Sequence, residues 1–312
     1  MRLGGYRTSD NVRDQGQGGG GFGFGGGGGG GGGGCLFALL PMVLSRFGIG
    51  GVLILLLGYC ALSYMGGGGG LGLGGPGTTV APQAGTGATD DAKQACSTEP
   101  AKRFSCQVLA NTEDTWAKLF AAKGQRYQPA GFRFYGGTGN SGCGAAQAAM
   151  GPFYCPTDNN IYLDTSFYEE MQTKLGASGD FAQAYVIAHE VGHHIQNLTG
   201  VLEQASGQQR RVSSREGNAI QVRVELQADC YAGVWAAHAK DEQGRPAMEP
   251  GDVEEGLRAA QAIGDDTLQR QSQGRVVPEA FTHGSAAQRT AWLRRGLESG
   301  DPDSCDTFSG AV

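Results

Sequence analysis

Apolar residues recur at helical spacing from Phe181 to Ile195, through Ala184, Tyr185, Ala188, Val191 and Gly192. The pattern predicts a helix with Asp180 as N-cap, Gln183 completing a capping box, and Gly200 as the stop. A second helix is expected from Arg223 to Ala239, where Leu226, Ala228, Cys230, Tyr231, Gly233, Val234 and Trp235 are mostly apolar. Ala110 to Gly124 predicts a third, capped by Asn111 or Thr112 and stopped by Gly124. Further helices are expected over 166–175, 250–264 and 286–297. FRFYGG and NIYLD read as short strands, so the class is α+β, mainly helical with a small β-sheet.

Before Cys96 the pattern changes. Of 57 glycines, 31 precede residue 78, and residues 16–34 are almost pure glycine. Such a tract cannot recover the entropy of ordering. Phe47 to Met65 is 19 residues without a charge. At about 1.5 Å per residue it would span roughly 28 Å, close to a bilayer's hydrocarbon thickness. The expected organisation is a disordered, cytoplasmic, Gly-rich segment over 1–34, one transmembrane helix within 35–65, a flexible linker over 66–95, and a folded domain over 96–312. Arg2, Arg7, Arg13 and Arg46 precede the span and no basic residue follows it until Lys93. That bias places the N-terminus in the cytoplasm and the domain outside it.

A net charge of -6 and a pI near 5.4 argue against nucleic-acid binding, which needs a basic surface. The chain has eight cysteines. Six lie beyond the apolar segment: Cys96, Cys106, Cys143, Cys155, Cys230 and Cys305. They allow 15 pairings. Proximity suggests Cys96 with Cys106 and Cys143 with Cys155, which leaves Cys230 for Cys305. No CxxC pair favours a structural zinc site, and disulfides fit an oxidising compartment.

The first helix carries His189-Glu190-Val191-Gly192-His193. The two histidines are four apart and project from one side. That is the H-E-x-x-H arrangement: two imidazoles supply half of a zinc tetrahedron, and the glutamate serves as base to an activated water. His194 lies on another face, near the ligands or toward solvent. Glu225 and Asp229, four apart on the apolar helix, are the best candidates for a third ligand and for a carboxylate orienting a ligand imidazole. Glu203, Glu216 and His238 are weaker alternatives. His283 or Tyr231 could stabilise an oxyanion. Residues 152–164 could supply an edge strand that holds substrate, or form an ordinary hairpin.

MRLGGYRTSDNVRDQ, GFRFYGGTGNSGCGAAQAAMGPFYCPTDNNIYLD, GDFAQAYVIAHEVGHHIQ, VELQADCYAGVW, FTHGSAAQR and CDTF together resemble the neutral zinc metallopeptidase family of membrane-anchored bacterial proteins. The resemblance implies a gluzincin-like, zincin-like domain with Zn2+ held by His189, His193 and Glu225, and Glu190 as base. It implies a peptide or protein substrate and a place in the bacterial inner membrane with the catalytic domain on the periplasmic or extracellular side. The alternative is a zinc-stabilised extracytoplasmic scaffold without peptidase activity.

Overall fold

A computed structural model describes residues 1–17 and 87–312. In chain order its elements are β1 (Val12–Gln17), α1 (Gly87–Ser97), α2 (Pro100–Ala122), β2 (Gly131–Gly136), β3 (Thr138–Ser141), β4 (Gly144–Gln147), β5 (Phe153–Cys155) and β6 (Asn160–Leu163). There follow α3 (Ser166–Thr173), α4 (Asp180–Leu198), α5 (Val201–Gln209), α6 (Ser214–His238), α7 (Asp252–Ala262), α8 (Asp265–Gln273) and α9 (Ala286–Ser299). The class is α+β and mainly helical, with one sheet. The expected span at 47–65 lies outside the described residues; among them no helix is long and apolar enough to cross a membrane.

The sheet runs in the order β4-β3-β2-β6-β5, with β1 joining β2. β1 and β6 are both parallel to β2, while β5 is antiparallel to β6 and ends the order beside α4. Phe132 and Phe134 point from β2 into the core, with Leu3, Val12, Leu109 and Ile161 in the same cluster.

Residues 1–17 therefore correct an expectation. They were expected to share the disorder of the Gly-rich segment over 1–34. Yet Leu3 and Val12 are 0% and 1% exposed, and the segment belongs to one compact unit with 87–312. The linker boundary moves as well, since residues 87–95 belong to α1.

Several helix ends also differ. α2 starts ten residues before Ala110, because Asn111 and Thr112 are buried inside it rather than capping it. Asn111 donates to the Lys240 carbonyl and accepts from Trp235 Nε1, partners that only the tertiary fold supplies. α4 begins at Asp180 itself, with Gly179 as N-cap and no side-chain cap; Asp180 pairs with the Met1 ammonium at 2.7 Å. α6 starts at Ser214, under a Ser213–Glu216 capping box. Gly200, at φ 79°, follows the end of α4 as expected.

Two glycines let helices meet closely enough to build a site. A Cβ on Gly192 would lie 2.9 Å from the Ala228 backbone, where α4 crosses α6. A Cβ on Gly296 would collide with the Cys230 carbonyl where α9 meets α6. Three disulfides are present: Cys96–Cys106 joins α1 to α2, Cys143–Cys155 ties the start of β4 to β5, and Cys230–Cys305 ties the C-terminal segment to α6. They are the pairings that proximity suggested.

Candidate metal centre

The close crossing at Gly192 turns the polar faces of α4 and α6 toward each other. His189 and His193 stand one turn apart on α4, their ring centroids 4.7 Å apart. Glu225 Oε2, on α6, lies 3.2 Å from His189 Nε2 and 3.5 Å from His193 Nε2. One donor atom from each of the three residues falls within 4.8 Å of the others.

The far sides of these groups are pinned. His189 Nδ1 lies 2.8 Å from Asp229 Oδ1. An ionised carboxylate only accepts, so Nδ1 carries a hydrogen and Nε2 is the nitrogen left to offer a lone pair once its own proton is lost. His193 Nδ1 donates to Gln196 Oε1 at 2.9 Å. The amide of Gln196 cannot turn round, because its NH2 group donates to the Val224 carbonyl and to Gln227. Glu225 Oε1 accepts from Gln221, which leaves Oε2 for the histidines. Two inward lone pairs and a buried carboxylate suit zinc, which takes imidazole nitrogen and carboxylate oxygen.

Asp229 is fully buried. Burial would raise its carboxyl, but the Arg289 guanidinium and His189 outweigh that and bring it down to about 2. Arg289 binds it bidentately, with both N···O distances 2.9 Å, and Tyr185 donates a third hydrogen bond. Arg289 and Gln196 were missed in the sequence. A signal for Arg289 existed: it shares the inner face of α9 with Trp292 and Leu293, three and four residues on.

Glu190 is 7% exposed. Burial raises its pKa. It shares a cleft of about 590 Å³ with His189, His193 and Glu225, walled by apolar residues including Phe153, Leu202, Ile263 and Leu268. His283 reaches the same cleft from the loop before α9. Its Nδ1 is 3.3 Å from Asp265 Oδ1, and that carboxylate also accepts the backbone N–H groups of Thr282, His283 and Gly284. Asp265 was missed too, since nothing in the sequence marks it apart from an ordinary first-turn acid.

Other candidates fall away from the centre. Tyr231 packs edge-on against Trp116, 5.5 Å between centroids, and does not line the cleft. Glu216 caps α6, His238 donates to the Gly300 carbonyl, and Glu203 is exposed on α5. His194 is buried rather than solvent-facing: its Nδ1 meets the Tyr154 hydroxyl of β5, and its Nε2 donates to the Gln128 carbonyl. It ties the edge strand to α4.

A family model described as "Putative neutral zinc metallopeptidase" matches residues 1–308. The chain belongs to this family. Membership implies Zn2+ as the metal. "Uncharacterized protein YpfJ" of Escherichia coli K12 is 53% identical over 214 residues, 69% of this chain and 74% of that protein. An uncharacterized protein of Mycobacterium tuberculosis H37Rv is 45% identical over 223 residues, 68% of this chain and 73% of its own length. No solved structure matches the chain.

Proposed function

We propose that this family member is a zincin-like, membrane-anchored peptidase in which His189, His193 and Glu225 hold Zn2+ and Glu190 is the base. One observation carries the reading: Glu190, largely buried, lines the same cleft as three convergent donor atoms. Bound there, zinc supplies Lewis acidity, polarising a carbonyl and making water easier to deprotonate. Glu190, its proton affinity raised by burial, takes a proton from water and delivers it to the leaving amine. Asp229 and Gln196 hold the two imidazoles in the tautomer that ligation needs. His283 donates from Nε2 to the carbonyl oxygen as negative charge builds on it. β5 ends the sheet order at the cleft and offers its outer edge to an extended peptide.

The apolar segment within 35–65 would anchor the chain in a bacterial inner membrane. Three disulfides suit an oxidising compartment and support a metal domain outside the cytoplasm.

The test is zinc content and peptide cleavage by the full-length chain, wild type beside Glu190→Gln. One zinc in both, with cleavage falling by about 10²–10⁴ in the variant, is the expected result. Zinc in both with no cleavage by either, across a broad peptide library, would favour a zinc-stabilised scaffold. Folded wild type without zinc would sink the metal reading.

A further inference from the structure

α2 carries an unusual set of buried polar side chains. Gln107 and Glu113 are 3% and 6% exposed. Their partners come from the first eleven residues. Gln107 donates to the carbonyls of Gly4 and Tyr6. Glu113 accepts from Ser9 Oγ at 2.6 Å, from Asn11 Nδ2 at 2.8 Å and from Arg7 at 3.1 Å. Arg7 also pairs with Asp114 at 2.7 Å. A buried carboxylate stripped of its donors costs far more than the contacts themselves give. The helix is therefore built around residues 4–11.

The sheet says the same. Val12, Arg13 and Asp14 pair in parallel with Phe132, Arg133 and Phe134 of β2, and the Phe132 N–H donates to the Asn11 carbonyl. Met1, Leu3 and Val12 join the hydrophobic cluster that holds α4 and α6. Two of the arginines that suggested a cytoplasmic start, Arg2 and Arg7, are used in the fold. Arg2 donates to the carbonyls of Pro246 and Met248, and Arg7 neutralises Glu113 and Asp114.

We infer that residues 1–17 are an integral strand and strap of the metal domain and lie on the same side of the membrane as the metal centre. A cytoplasmic N-terminus with the metal centre outside the cytoplasm is incompatible with this packing. The inference stands apart from any peptidase activity, because neither zinc nor catalysis enters it.

The test uses the full chain in membranes of the producing cells, with Cys35→Ser and Cys60→Ser so that no free thiol remains besides those added. Arg13→Cys and Arg133→Cys occupy paired positions on β1 and β2. Neighbouring strands lie about 4.8 Å apart, within reach of a disulfide. Arg13 is exposed and Arg133 half-buried, and among the described residues neither forms a salt bridge, so the fold should tolerate both changes. After mild oxidation, peptide mapping should find residue 13 linked to residue 133 in most chains. The control pair Arg13→Cys with Glu298→Cys should stay unlinked. Absence of the 13–133 link in chains whose three native disulfides are intact overturns the inference. A second arm labels Arg13→Cys and Glu298→Cys singly with a membrane-impermeant maleimide. Labelling of both from the same face is expected, and labelling from opposite faces overturns it.

Discussion

Two carboxylate–histidine pairs face the cleft, and they are built for opposite purposes. Asp229 and His189 meet at 2.8 Å in the core, where Arg289 and Tyr185 complete the carboxylate's coordination. Asp265 and His283 meet at 3.3 Å at the rim, where the His283 side chain is 53% exposed and three backbone N–H groups complete the carboxylate. In both, Nδ1 faces an acid, though at His283 the Thr282 hydroxyl also lies 3.1 Å from Nδ1. His189 must be neutral to offer a lone pair to a metal. His283, as proposed, acts protonated: with Nδ1 donating to Asp265, only the imidazolium also carries a hydrogen at Nε2. One geometry thus serves a ligand in its basic form and a donor in its acidic form.

The electrostatics fit that division. Burial would lower His189, but Asp229 and Glu225 raise it more, to about 9, so metal must displace a proton to bind. The hydrogen bond to Asp265 raises His283 above the ordinary imidazole value. Its charged form therefore persists to higher pH. Activity should fall on the acid side as protons compete for the ligands, and on the basic side as His283 loses its proton.

The strongest way to break the comparison is Asp229→Ala. It leaves the buried Arg289 guanidinium without its partner, a loss of about 3–5 kcal/mol in stability, and it frees the His189 tautomer, which costs about 10–100-fold in metal affinity. Thermal unfolding with and without chelator, beside zinc competition titration, separates the two effects. If the metal-free protein melts unchanged, the core network is not what holds α4, α6 and α9 together.

His283→Gln should do the reverse. Loss of one oxyanion donor lowers kcat by about 10²–10³. Zinc affinity and melting temperature should stay near wild type, because the ring is half in solvent. A variant that loses metal along with activity would place His283 with the ligands instead of opposite them.

How much of this was legible in the sequence follows from the range of each interaction. His189, Glu190 and His193 are fixed by helix periodicity alone, and Glu225 with Asp229 by the same spacing on a helix too apolar to face water. Those residues could be read because each signal lies within two turns. Arg289 and Asp265 act through partners 60 and 18 residues away. The apolar face of α9 marks Arg289 as inward but not what it meets, and Gln196, though three residues from His193, is fixed only by Val224 and Gln227 across the helix crossing. The first 17 residues were misread for a related reason. Their order comes from acceptors on α2 and from β2, not from their own hydrophobicity. Asn111 and Thr112 have strong capping preferences, but Asn111 is held by Lys240 and Trp235 and Thr112 donates back to the Leu109 carbonyl, so the helix runs through them.

Gln196→Leu tests a smaller part of the contrast. His193 has no carboxylate behind it, only an amide held by Val224 and Gln227. Removing that amide frees the ring without stranding a charge. Metal affinity should fall toward the lower end of the 10–100-fold range expected for an outer partner. The melting temperature should fall less than in Asp229→Ala, because no buried ion is left unpaired. Equal losses in the two variants would mean that the charge on Asp229 contributes nothing beyond orientation.

The smallest expected effect is the most specific one. Asp265→Asn keeps an oxygen that can accept the backbone N–H groups of Thr282, His283 and Gly284, so the loop before α9 should hold its place. What it removes is the negative charge that raises His283. The sign is fixed. A raised imidazole keeps its proton until pH climbs through the raised value, so lowering that value brings deprotonation at lower pH. The basic limb of the kcat/KM profile should move toward acid, while the acid limb, set at the metal ligands, stays where it is. At the low-pH side of the plateau the variant should approach wild-type activity, since His283 is protonated in both. A uniform drop at every pH would mean that Asp265 positions the ring without tuning its charge. An unmoved profile would mean that the proton on His283 is not used in catalysis.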